Sequence, residues 1–382
     1  MRVVAKEDRQ WLTDYRNQLL LKLMIAYKMA RSGGKRGTFD EHKFEAYDFE
    51  NLVRLRNSLL DKTYKPSRGT AHVIFNPVQR EIFAAPFVDR VVHHFVYNII
   101  YDWWDRRFIE DSYSCREGKG TKYGIERLSY HMQTVSEDWT KEICVVKLDI
   151  QGYFMSIPRR TLYEMVKDGL DRQFKEYKGK EYEVVLHCIR QIIFDDPCQG
   201  VIRQGWPQDW EGLPQSKSLF NQPPGVGIVI GNLTSQLFSN VFLDKLDRFV
   251  VFDLGYKHYG RYVDDFYIVI PIGQLTKLRK DIKRIERFLA RIGLALHPQK
   301  RHFYMGGQGV DFLGGVVYPG QIYPGQRVIR NARKAFYEVE VGVRDIESVV
   351  SYLGHMKYFR SEGILQKLFD EVGWEGEGFF VE

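Results

Sequence analysis

The pair Asp264-Asp265 constrains this chain more than any other feature. It follows Tyr262-Val263 and lies between an alternating stretch, Tyr256, His258 and Tyr259, and the apolar run Phe266 to Ile270. That pattern predicts two strands joined by a tight turn, with the acids at the turn. Adjacent carboxylates raise each other's pKa unless a cation neutralises them. The pair is therefore either a solvated turn or part of a divalent-metal site.

A further acid favours the metal. Val145-Val146-Lys147-Leu148-Asp149-Ile150 reads as a buried strand ending in a carboxylate, followed by Gln151-Gly152-Tyr153-Phe154. Acids at the ends of two strands can meet at one site. Magnesium takes oxygen ligands from one or two protein carboxylates and from substrate phosphates. Two such ions about 4 Å apart activate a 3′-hydroxyl and stabilise departing pyrophosphate. Asp149, Asp264 and Asp265 together thus predict nucleotidyl transfer.

With 382 residues and 44% apolar content, the chain has the length for two or three packed units and is not a disordered tail. Its 56 Lys and Arg barely exceed its 49 Asp and Glu, so a polyanion-binding surface must come from local clusters. Lys35-Arg36 and the group Arg327, Arg330, Arg333, Lys334 are such clusters. Cys115, Cys144, Cys188 and Cys198 lack CxxC spacing and read as reduced thiols, which points to the cytoplasm. The apolar stretch Leu19 to Met29 is broken by Lys22 and Lys28 and is too short to span a bilayer, so no membrane partner is expected.

Periodicity predicts helices over 11–30, from Phe44 to Leu59, and over 81–104, 160–170, 182–193, 233–250 and 275–292. Strands are expected over 71–75, 143–148 and 259–270 and in short pieces over 301–323, with irregular chain over 195–224. No repeated parallel βαβ spacing is present, so the fold class is α+β, an antiparallel sheet backed by helices. Trp206 and Trp210 in the irregular stretch either stack on nucleic acid or anchor the loop. His93-His94 do not form a metal pair, because adjacent helical residues point about 100° apart.

Taken in order from Tyr64 to Tyr323, these motifs resemble the reverse transcriptase family. Asp149 falls at the metal ligand of that family's first palm motif, and Tyr262-Val263-Asp264-Asp265 is its YxDD box. The resemblance implies a right-hand polymerase with fingers and an N-terminal helical extension over 1–140. A palm over 141–325, with an insertion at about 195–224, and a helical thumb over 326–382 complete it. It implies an RNA-directed DNA polymerase using two Mg2+ ions, with Mn2+ able to substitute, held at Asp149, Ile150, Asp264 and Asp265. Template RNA, a primer or cDNA strand and dNTPs are the implied partners.

The same resemblance assigns the residues around the nucleotide. Phe154, five positions beyond Asp149, matches the aromatic that lies against the sugar and excludes a 2′-hydroxyl. Arg80 and Lys300 match residues that approach the triphosphate, and arginine suits phosphate because its planar fork donates bidentately. Arg116 and Lys119 match template contacts. Gly314, in Gly309-Val310-Asp311-Phe312-Leu313-Gly314-Gly315, matches the primer-grip turn, with Arg330 and Arg333 beyond it.

One segment narrows the family. In Gly227-Ile228-Val229-Ile230-Gly231-Asn232-Leu233-Thr234-Ser235-Gln236, Ile230 and Ser235-Gln236 stand where retroviral, retron and group II intron enzymes usually carry glutamine and Ser-Pro. This form resembles the reverse transcriptases of diversity-generating retroelements, and it adds Ile230 and Gln236 to the dNTP-binding set. It implies cDNA mutated at adenines, copied from a template-repeat RNA, and a small basic accessory variability protein as partner. Isoleucine can only pack, and loss of roughly 1 kcal/mol of polar contact alters discrimination about fivefold. A retron, group II intron-like or abortive-infection enzyme is the alternative. A catalytically inactive RNA-binding scaffold would have lost one of the three acids. About 60 residues follow the primer-grip region, so a small thumb is expected there and an added maturase or endonuclease domain is not.

Overall fold

A computed structural model describes residues 6–32, 37–75 and 78–374, with side chains from residue 14 onward. The basic pair Lys35-Arg36 lies outside the described residues. In chain order the elements are α1 (Lys6–Ala30), α2 (Phe39–Glu45), α3 (Asp48–Leu60), β1 (Thr70–Ile74), β2 (Arg80–Ala84), α4 (Phe87–Asp105), α5 (Thr121–Val135) and β3 (Ile143–Ile150). They continue with α6 (Tyr153–Ser156), α7 (Arg159–Gln173), α8 (Lys180–Phe194), β4 (Ile202–Arg203), α9 (Leu233–Arg248), β5 (Tyr259–Tyr262) and β6 (Asp265–Pro271). Then follow α10 (Leu275–Arg291), β7 (Leu296–Met305), β8 (Val310–Phe312), β9 (Gly315–Tyr318), β10 (Gln321–Pro324), α11 (Gln326–Glu340), α12 (Glu347–Met356) and α13 (Glu362–Val372). The mixed α+β class with an antiparallel sheet is the one the sequence predicts.

The chain forms two compact units, each built from three separated stretches. One comprises Met1–Ile109, Ile150–Leu246 and Arg287–Ala295. Its helices bury periodic apolar faces, with Leu19, Leu23 and Ala26 on α1, Leu52, Leu55 and Leu59 on α3, and Val91, Val92, Phe95 and Val96 on α4. Its small sheet has the order β2-β1-β4.

Two helical expectations in this unit need correction. The stripe from Phe44 to Leu59 is two helices, because Tyr47 leaves helical geometry at φ −141, and the Phe44 carbonyl accepts from the Tyr47 amide at 3.3 Å and from the Asn51 side chain at 3.0 Å. The stretch 81–104 begins as strand β2, paired with β1 in the register Ala71↔Phe83 and Val73↔Glu81. Pro86 disfavours helix in the residue before it, so α4 starts at Phe87. Glu81 is buried in that strand, its carboxylate accepting from the Ser218 hydroxyl and from the Leu219 amide, the latter at 2.7 Å.

The second unit comprises Glu110–Asp149, Asp247–Glu286 and Leu296–Glu382. Its main sheet has the order β5-β6-β3-β7, with β6 antiparallel to both β5 and β3. Leu128 and Met132 of α5 pack with Val145, Tyr267, Val269, Phe312 and Val317 into one core. Gly260 is required there, since a Cβ would come within 2.3 Å of the Tyr113 hydroxyl. A smaller antiparallel sheet, β10-β9-β8, follows. The helices α11, α12 and α13 enclose a separate core of Ala332, Phe336, Leu353, Met356, Leu368 and Phe369.

Candidate active site

The three acids all belong to the second unit. Asp149, near the end of β3, is paired directly with Asp265, the first residue of β6. Asp264 sits in the two-residue turn that joins β5 to β6, where Tyr262 pairs with Asp265. Like charges directly opposite on neighbouring strands are destabilising, so this register is unfavourable without a compensating cation.

Two lysines supply part of that compensation. Lys300 Nζ lies 2.8 Å from Asp149 Oδ2, and Lys147 Nζ lies 3.3 Å from Asp265 Oδ2 while donating to the Asp311 carbonyl at 2.9 Å. Burial pushes the Asp265 carboxyl up from 3.8 to about 7; Asp149 and Asp264 push the same way, and Lys147 opposes them. Asp265 Oδ1 is buried and has no hydrogen-bond partner among the described residues.

This set fits a divalent cation. A buried, unpartnered carboxylate oxygen on a residue paired across the sheet with a second acid is what a hard cation satisfies, and the two ammonium groups already mark the site as cation-attracting. Among the described residues no three carboxylate, histidine or cysteine side chains close on one point as a preformed cage. Magnesium needs none, since it keeps waters and substrate phosphates among its ligands. Ile150, beside Asp149, has a fully buried side chain.

The turn is held by residues that the sequence reading missed. Val263 has φ +55, a left-handed conformation that costs a β-branched residue about 1–2 kcal/mol. Arg261, wholly buried, donates from Nη1 to the Val263 carbonyl at 2.9 Å. Its Nε and Nη2 grip the two carboxylate oxygens of buried Asp247 at 2.7 Å each, and Nη2 also reaches Ser112 Oγ at 3.2 Å. The Tyr259 hydroxyl donates to Asp247 at 2.6 Å. A signal was available: a charged residue inside an apolar alternation, and an acid at the end of an apolar helix.

The nucleotide candidates Arg80, Phe154, Ile230 and Gln236 belong to the first unit, where backbone bonds tie the segments of Phe154 and Ile230 to each other and to the strand of Arg80. The Ile228 amide donates to the Phe154 carbonyl at 2.9 Å, and the Phe83 amide, on the strand that Arg80 opens, donates to the Ile230 carbonyl at 3.0 Å. Gly231 permits that approach, with φ +126 and no room for a Cβ, which would lie 2.5 Å from the Phe83 carbonyl oxygen. Ile230 packs against the cluster of Ala71, Phe83, Met155, Leu219 and Val229. Arg80 and Gln236 are exposed, and Phe154 is half-buried, edge-on to Tyr153.

The template and primer candidates differ in their surroundings. Arg116 is buried and donates to the Ser112 carbonyl at 3.0 Å. Lys119 bonds Glu110 at 3.1 Å beside the Tyr123 ring, and burial lowers its pKa. Arg333 makes a bidentate pair with Glu371 at 2.7 and 3.0 Å, while Arg330 is exposed. Gly314 takes φ +89 in the turn between β8 and β9, and its carbonyl accepts from the Gly325 amide at 2.8 Å. Trp210 anchors the irregular segment against Phe220 and Arg203, whereas Trp206 is exposed. His93 is buried with Nδ1 2.7 Å from Thr234 Oγ1, in keeping with a packing role.

The second unit thus presents an antiparallel sheet with paired acids at the ends of neighbouring strands. Residues 79–317 match the family described as reverse transcriptase (RNA-dependent DNA polymerase). The chain belongs to the reverse transcriptase family. No curated protein matches it. Solved structures that it is similar to include apo telomerase from Candida tropicalis, at 11% identity and TM-score 0.47, covering 81% of this chain and 58% of that one. Another is telomerase from the same organism with a TWJ fragment of telomeric RNA, at 12% identity and TM-score 0.48, covering 81% and 56%. The chain thus spans little more than half the length of these telomerase chains. Among the described residues no helix is long and apolar enough to cross a membrane, and the four cysteines are free.

Proposed function

We propose that the chain is an RNA-directed DNA polymerase that copies a template-repeat RNA into adenine-mutagenised cDNA, as the reverse transcriptases of diversity-generating retroelements do. The observation that carries the polymerase reading is Asp149 opposite Asp265, with Asp264 in the adjoining turn and one carboxylate oxygen buried without a partner. Asp149, Asp264 and Asp265, with the Ile150 backbone, would hold two Mg2+ ions, or Mn2+, which when bound activate the primer 3′-hydroxyl and stabilise the leaving pyrophosphate. The protein's own groups do the rest. Lys300 keeps an ammonium beside Asp149 for phosphate charge, and Arg80 offers a bidentate fork. Phe154 screens the sugar, and Arg330 with the Gly314 turn contacts the primer-template backbone.

The mutagenic reading is supported by Ile230, which packs on apolar neighbours and has no side-chain donor with which to tighten nucleotide geometry. A small basic accessory variability protein and a cytoplasmic location accompany this reading. Sequencing cDNA made by the purified protein on an RNA template of mixed composition tests it. Substitutions concentrated opposite template adenines are expected, and an even, low error rate across all four bases would assign the chain to the retron, intron-like or abortive-infection branches instead.

A further inference from the structure

We infer that the buried pair Arg261–Asp247 is a positioning device that holds the catalytic turn in its left-handed form, and so sets the spacing of Asp264 and Asp265 for metal. This rests on the polymerase reading of the same acids. The guanidinium has three edges, and each is assigned. One grips both oxygens of Asp247, one holds the Val263 carbonyl, and one reaches Ser112. The backbone of Arg261 is equally fixed: its amide donates to the Asp111 carbonyl and its carbonyl accepts from the Tyr113 amide, each at 2.9 Å. Val263 is thereby tied at its carbonyl, the atom whose direction decides whether the following acid faces the site.

The chemistry explains why arginine stands here. Only a planar fork donates to a carboxylate with two nitrogens and still has a third for a carbonyl. Lysine at this position would keep the charge opposite Asp247 and lose the grip on Val263. With the grip gone, a β-branched residue drifts out of the left-handed region, whereas glycine enters it freely. The turn is thus a two-state element, and the fraction in the competent state scales apparent metal affinity.

The test compares full-length wild type, Arg261→Lys and the double variant Arg261→Lys/Val263→Gly. Mn2+ binding by electron paramagnetic resonance, primer extension and thermal midpoint are read on each. Arg261→Lys is expected to weaken Mn2+ binding about fivefold or more and to lower kcat by about tenfold to a hundredfold, with dNTP KM little changed. Adding Val263→Gly should recover about fivefold in both without restoring the thermal midpoint, a split that a purely structural role does not give. Should Arg261→Lys not fold, Asp247→Asn, with and without Val263→Gly, carries the same comparison.

Unchanged Mn2+ affinity in Arg261→Lys, or no recovery on adding glycine, overturns the inference. Wild type that binds Mn2+ but extends no primer overturns the polymerase reading instead, and the Mn2+ comparison still judges the clamp.

Discussion

Replacing Asp265 with asparagine removes the site's most strained charge while keeping its shape. Burial, reinforced by Asp149 and Asp264 and opposed by Lys147, lifts the Asp265 carboxyl from 3.8 to about 7. Between those values the folded protein keeps a proton that the unfolded chain releases, so stability falls as pH rises from about 4 to about 7 and is level above it. At about 1.4 kcal/mol per pH unit the whole loss amounts to about 4 kcal/mol. Asparagine has no such proton. In metal-free buffer the stability of Asp265→Asn relative to wild type should therefore grow by about 3 kcal/mol between about pH 5 and about pH 8. Urea unfolding at several pH values measures this directly, and added Mg2+ should stabilise wild type more than the variant. A difference that stays constant with pH, or that turns against the variant at high pH, would refute the electrostatic reasoning.

Two further outcomes concern the nucleotide. Phe154→Ala should raise ribonucleotide incorporation relative to dNTP, and unchanged sugar selectivity in a steady-state assay would remove Phe154 from the sugar contact. Ile230→Gln should lower misincorporation opposite template adenines by about fivefold, the effect of roughly 1 kcal/mol of regained polar contact. An unaltered error spectrum in sequenced cDNA would take Ile230 out of the account of fidelity.

Much of the main sheet of the second unit was legible from local pattern. The apolar run ending at Asp149 and the alternation flanking Asp264-Asp265 each identify a strand, because burial on one or both faces leaves a periodic record. Register leaves no such record: that Asp149 lies opposite Asp265 depends on pairing across more than a hundred residues of chain. Arg261 escaped for the same reason. Its partner Asp247 ends a different element, and only the fold brings the two charges together in the core. Where local pattern misled, a short strand was absorbed into a longer helical phase, as at 81–84 before Pro86. Arg116 illustrates a further limit, since a motif match that implies a template contact carries no record of burial, and the side chain is buried on the Ser112 carbonyl.

The central claim is that Asp149, Asp264 and Asp265 form one metal-dependent polymerase centre. Primer extension on an RNA template, with wild type and Asp264→Asn compared at saturating dNTP, tests it most directly. Mg2+-dependent DNA synthesis by wild type is expected, with a loss of about a thousandfold in Asp264→Asn at an unchanged circular dichroism spectrum. Equal extension by the two proteins, or no extension by wild type with any primer or divalent metal, would contradict it.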